Sequence, residues 1–126
     1  MTALKHYLPP AGLKTPPLSY AVRTGDLLFV SGIPGFTDEG VLAEGFEAQF
    51  LAVISNLGRV FAEAGADPRN LCKVNVLLTR QSDVEKMNEL YAVAFGPPPY
   101  PARTTCVVQS LPNPAMLIEI ECVVAM

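Results

Sequence analysis

Residues Leu71–Thr79 read LCKVNVLLT, and shortly after them Ser82-Asp83-Val84-Glu85 opens a different pattern. Alternation divides the first stretch into two faces. Cys72, Val74, Val76 and Leu78 lie on one, and Leu71, Lys73, Asn75, Leu77 and Thr79 on the other. An apolar face with Val-rich alternation marks a strand laid against a core. Lys73 and Asn75 share the opposite face, which is therefore solvated or lines a pocket. The SDVE stretch has the spacing of a capping box, with Ser82 as N-cap and Glu85 at the third helical position. The helix it opens places Val84, Met87, Leu90, Tyr91 and Ala94 on one stripe, and Gly96 with Pro97-Pro98-Pro99 stops it.

Upstream, Phe50, Val53, Ile54, Leu57, Val60, Phe61 and Ala64 recur at helical spacing, with Gly65 placed to end the helix in the left-handed conformation. Gly58 interrupts it at a cost of about 1 kcal/mol relative to Ala, which close packing against a sheet would explain. Leu18–Thr24 and Leu27–Ser31 read as short strands joined by a tight turn at Gly25-Asp26. Residues 1–17 read as an irregular lead-in. Ile33–Gly40 reads as a loop, with a short strand near Val41-Leu42.

Downstream, Thr104–Gln109 and Met116–Val124 read as strands. In the last of these Glu119, Glu121 and Val123 share one face, and Ile118, Ile120, Cys122 and Val124 the other. The order is β-β-(β)-α-β-α-β-β. This predicts one α+β domain over 1–126, with two helices packed on one face of a mixed sheet. Two helices cannot cover both faces, so the bare face is where copies of the chain are expected to meet and where the stranded polar residues are expected to converge.

Composition narrows the function. The chain has 126 residues, 50% of them apolar and only 17% charged, with a net charge of −3. That excludes disorder, and the absence of a concentrated basic patch argues against binding nucleic acid. Mean hydropathy is +0.31, yet no apolar run approaches the roughly 20 residues that span a bilayer. Too little charge to cover the surface implies self-association.

Cys72, Cys106 and Cys122 are widely spaced with no C-x-x-C pair, so neither a metal site nor a disulfide framework is indicated, and the thiols read as small core hydrophobes. With no signal-peptide apolar region, the expected compartment is the cytoplasm. His6 reads as a solvated residue. There is no G-x-S-x-G, no P-loop and no G-x-G-x-x-G, so acid–base work falls to a carboxylate, lysine, tyrosine or water.

From about Ser19 onward the chain resembles the reactive intermediate deaminase (RidA/YjgF) family. The resemblance rests on GDLLFVSG (Gly25–Gly32), FEAQFLAVISNL, KVNVLLT (Lys73–Thr79), MNELYAVAFG (Met87–Gly96), PARTT (Pro101–Thr105) and IEIE (Ile118–Glu121), in that order. It implies a chorismate-mutase-like fold assembled as a homotrimer with clefts between subunits. The implied activity is cofactor-free hydrolysis of enamines and imines, such as 2-aminoacrylate and its imine tautomer, to 2-keto acids and ammonia. Position by position, Arg103 matches the arginine that holds the substrate carboxylate, and Glu119 the acidic residue beside the attacking water. Ser19, Gly32, Lys73, Asn88 and Thr105 match positions lining the cleft.

An arginine offers a planar, permanently charged fork to a carboxylate, and an iminium carbon needs little more than a positioned water and a carboxylate. The chain departs from the family pattern in four places. Leu18 stands where many members have tyrosine, and Ile33 where glutamine is frequent. The LPNPAMLIEIE connection, read as a hairpin, is one residue longer, and Cys106 is offset by one from the cysteine of some members. Leu18 and Ile33 make the cleft rim more apolar. This implies a larger or greasier substrate, a catabolic relative acting on another enamine or ring-opened intermediate, or a non-catalytic trimer that binds small carboxylates or a protein.

Overall fold

In the computed structural model, which describes residues 3–126, the chain reverses at Gly25-Asp26 with Gly25 at φ 54°. That turn joins β2 (Ala21–Thr24) to β3 (Leu27–Pro34), paired antiparallel from Ala21↔Val30 to Thr24↔Leu27. The lead-in is not wholly irregular: Leu4–Tyr7 forms β1 and pairs with β2 at the sheet edge. Only Tyr7 of that strand is buried, so its sequence carries no core periodicity to reveal it. His6 on this strand is exposed. β3 runs three residues beyond the expected strand, through a bulge between Val30 and Ile33, and the stretch at Val41-Leu42 contributes only a bridge from Leu42 to Phe36.

Helix α1 (Phe46–Ala64) ends at Gly65, whose φ of 70° is the left-handed cap expected of it. Its buried face is Phe46, Phe50, Val53, Leu57, Val60, Phe61 and Ala64, with Gln49 among them. Gly58 is exposed, and a Cβ added there meets no atom within 4 Å, so close packing does not account for it. β4 (Leu71–Leu78) follows, then α2 (Val84–Phe95), β5 (Ala102–Val107) and β6 (Ile118–Ala125). The capping box does not form. Ser82 sits inside a 3-10 turn at Gln81–Asp83, and Asp83 takes the N-cap position with no side-chain cap bond. Its carboxylate accepts instead from Arg80 Nε and Nη2, at 2.7 and 3.1 Å. Ala94, expected on the buried stripe of α2, is exposed, while Met87 and Tyr91 are buried.

The six strands form one sheet in the order β1-β2-β3-β6-β4-β5. β4 and β5 are parallel and the other pairs antiparallel, giving the expected mixed sheet with both helices on one face. β5 and β6 flank β4 rather than forming a hairpin, so residues 108–117 cross over the end of β4. The core is filled by Leu28, Phe50, Leu57, Val74, Val76, Leu78, Met87, Ile118, Ile120 and Val124. Two of the three thiols lie outside it. A bulge between Leu71 and Lys73 takes Cys72 out of the ladder to the surface, and Cys106 is exposed on the edge strand β5. Cys122 alone is buried, and its burial pushes the thiol up to about 12. Among the described residues no helix is long and apolar enough to cross a membrane.

Candidate active site

Facing pairs in a ladder point the same way, so register assigns each side chain to a face. Lys73↔Val123, Asn75↔Glu121 and Leu77↔Glu119 lie on the face without helices, whereas Val74↔Cys122 and Val76↔Ile120 face the core. On β5, Arg103 pairs with Val74 and Thr105 with Val76, while Thr104 pairs with Asn75. The expected convergence of polar residues on the bare face is therefore incomplete: Arg103 and Thr105 stand on the helix side. Arg103 and Glu119 also sit on strands separated by β4, about 10 Å apart across the sheet.

Around Arg103 the chain builds a first half-site. Its guanidinium lies 4.7 Å from the centre of the Tyr91 ring, and its Nη2 donates to Asn88 Oδ1 at 2.8 Å. Asn88 and Tyr91 lie three residues apart, so one face of α2 presents both. Tyr91 in turn stacks on Phe95 at 4.2 Å. With Ala92, Tyr100 and Pro101 these residues line an open cleft of about 280 Å³. Among the described residues no carboxylate pairs with Arg103. Its charge is thus oriented and not neutralised. Periodicity assigns Tyr91 to the core stripe; its second role, carrying the guanidinium, has only the spacing to Asn88 as a sequence signal. Burial pushes the Tyr91 phenol above its ordinary range, and among the described residues its buried hydroxyl has no hydrogen-bond partner, nor has the buried Thr105 Oγ1.

A second half-site forms on the bare face at β3 and β6. Gly32 sits in the β3 bulge, where an added Cβ would lie 2.8 Å from Glu119 Cδ, so the glycine makes room for the carboxyl. Burial, and then the neighbouring charge of Glu121, push the Glu119 carboxyl above the usual carboxylate range. Ser19 joins this group through its backbone: its carbonyl accepts from Ser31 Oγ at 2.6 Å, beside Gly32. Ile33, expected at the rim, is only 6% exposed and belongs to the core. Leu18 is exposed, at 41%.

Lys73 belongs to neither group. Its Nζ donates to Thr104 Oγ1 at 2.7 Å, and Asn75 Nδ2 donates to Glu121 Oε1 at 2.9 Å. Both pairs stand on the bare face, where a shallow cavity of about 290 Å³ runs between Phe29, Lys73, Asn75, Glu121 and Val123. Among the described residues no cluster of His, Cys, Asp and Glu has a metal-binding arrangement.

The family model described as Endoribonuclease L-PSP matches residues 12–126. Reactive Intermediate Deaminase A, chloroplastic, of Arabidopsis thaliana is 38% identical over 85% of this chain, which spans 57% of that longer protein. The mitochondrial protein mmf2 of Schizosaccharomyces pombe is 37% identical, over 86% of this chain and 87% of its own length. Among solved structures, RidA from an Antarctic Psychrobacter superposes with a TM-score of 0.83 at 34% identity, covering 96% of this chain and 94% of that one. A Rid-family protein from Yersinia pestis reaches a TM-score of 0.89 at 28% identity, covering 98% and 100%. These matches make the chain a member of the Endoribonuclease L-PSP family, the RidA/YjgF group.

Proposed function

We propose that this protein hydrolyses 2-enamino and 2-imino acids, of the 2-aminoacrylate and 2-iminopropanoate type, to 2-keto acids and ammonia without a cofactor. The clefts would lie between copies of a homotrimer, Arg103 coming from one copy and Glu119 with Gly32 from the next. The observation that carries the reading is the unpaired Arg103 guanidinium, held by Asn88 and Tyr91 at the mouth of a cleft. A fixed cationic fork of this kind suits a small carboxylate.

With the carboxylate held, chemistry needs only water and a proton relay. The enamine takes a proton at its terminal carbon to become the iminium ion. Water then adds to the iminium carbon as the C–N π bond opens, one proton of that water passes to the nitrogen, and the resulting carbinolamine expels ammonia as its hydroxyl proton leaves and the carbonyl forms. Glu119 supports the proton transfers, since a carboxyl shifted upward toward neutrality gives and takes a proton more readily at working pH. The exposed Leu18 keeps the rim apolar, which favours substrates bearing an apolar side chain. Free thiols fit a reducing compartment such as the cytoplasm.

The family description names an endoribonuclease. A phosphate-backbone partner needs free cations in a stripe, and four of the nine cations, Arg59, Arg69, Arg80 and Lys86, are each paired with an acidic neighbour. The net charge is also −3.

The test is ammonia and keto-acid release from 2-aminoacrylate generated in situ, across a panel of amino-acid-derived imines. Arg103→Ala should lower kcat/KM about 10²-fold or more, the equivalent of losing two charge-assisted hydrogen bonds of about 1.5–3 kcal/mol each. Undiminished turnover would overturn the assignment. Unchanged imine lifetime with measurable carboxylate binding would instead identify a binding trimer.

A further inference from the structure

Two amide side chains of α1 reach the two strand ends that form the Gly32–Glu119 niche. Gln49 is 2% exposed. Its Nε2 donates to the Ala115 carbonyl at 3.1 Å, and its Oε1 accepts from the Leu117 N–H at 2.8 Å. Leu117 stands two residues before Glu119, at the entry to β6. Asn56, two helical turns further on, donates from Nδ2 to the carbonyls of Pro34 (3.2 Å) and Phe36 (3.0 Å). Pro34 is the register partner of Glu119 on β3.

Between these two anchors the backbones touch. A Cβ at Gly35 would lie 2.8 Å from Gln49 Cα, so α1 and the end of β3 meet without any side chain between them. An apolar residue at position 49 would satisfy a purely structural core, whereas a buried amide costs free energy unless its donor and acceptor are both used. Both are used here, and both on the segment leading into Glu119. Residues 108–117 cross the sheet end as a connector whose ends are tied to β4, Val108 N–H donating to the Leu78 carbonyl and Thr79 N–H to the Leu117 carbonyl, and Gln49 adds the tie from the helix side.

We propose that Gln49 and Asn56 are positioning residues that hold the Glu119 carboxyl over Gly32 by clamping the ends of β6 and β3 to one rigid helix. This rests on the reading of Glu119 as the proton-handling group.

Steady-state kinetics of the full chain with Asn56→Ala, Gln49→Glu and Gln49→Met test it. Gln49→Glu keeps the acceptor for Leu117 and loses the donor to Ala115, so it separates the amide from the volume it fills. Misplacement of Glu119 should lower kcat about 10- to 100-fold. KM should stay within about two-fold, because Arg103 lies on a different strand that the clamp does not touch. A wild-type kcat in both Asn56→Ala and Gln49→Glu, or a loss carried by KM, overturns the inference. Amide hydrogen exchange at Glu119 gives an independent readout, and should quicken about five-fold or more in Asn56→Ala. Unchanged exchange overturns the clamp even if Arg103→Ala and Glu119→Gln prove fully active, a result that would by itself sink only the assigned chemistry.

Discussion

Glu119 owes its character to its setting. The side chain is half-buried over a glycine and next to Glu121, so its ionised form loses hydration and meets a like charge. The folded protein therefore favours the protonated carboxyl. Its contribution to stability is present below the unfolded value near 4.5 and is lost as pH rises through the higher folded value. Glu119→Gln should accordingly match the wild-type melting temperature near pH 4 and exceed it once the pH has risen through the folded value, while losing activity. A variant that is no more stable at pH 8 would contradict the assigned burial. Gly32→Ala tests the same niche sterically: the new methyl displaces the carboxyl, and turnover should fall about 10-fold or more with little change in fold. The sequence names both residues only through the family motif, since nothing in IEIE distinguishes Glu119 from Glu121. The bulge that sets Gly32 under one of them is a tertiary feature.

Elements with strong periodicity are legible from the chain alone. The α1 stripe, its Gly65 stop, the alternation of β6 and that of β4 from Lys73 onward match the structure, because each buries one face against a common core. Short or weakly buried elements are not. β1 exposes three of its four residues, and the local SDVE signal yields to a charge pair when Arg80 claims Asp83. Gly58 offers a clean measurement at this scale. It is exposed on α1 with space for a methyl, so Gly58→Ala should stabilise the protein by about 1 kcal/mol, seen as a rise of about 3–5 °C in Tm. No gain in thermal melts would show that the position is occluded in the assembled protein. Gly35→Ala should do the opposite, costing about 1–3 kcal/mol in denaturant titrations, because the new Cβ meets the backbone of Gln49.

At the scale of the molecule, the decisive feature is that one copy does not bring Arg103 to Glu119. They occupy opposite faces of the sheet with β4 between their strands. A site using both must draw them from two copies, so two inactive variants should rescue each other. Mixing Arg103→Ala with Glu119→Gln through unfolding and reassembly in equal amounts should restore about a quarter of wild-type activity, the fraction of clefts that receive both native residues. No recovery in reassembled mixtures would require both residues to act within one copy. The bare face carries exposed Phe29 and Leu27 next to Lys73, Asn75 and Glu121, and is the surface on which such an assembly would form.

By itself the sequence determined the helices, the central strands and their buried faces, because burial imposes a period that any reader of the chain can measure. It also supplied the motifs that nominate Arg103 and Glu119. Only the tertiary structure decided which face each of these occupies, because that depends on strand order and on the crossover of β4 between β5 and β6. The same is true of the Gln49 amide, whose partners near Glu119 lie 66 and 68 residues away along the chain. No local pattern encodes contacts at that separation; they exist once the helix has packed on the sheet.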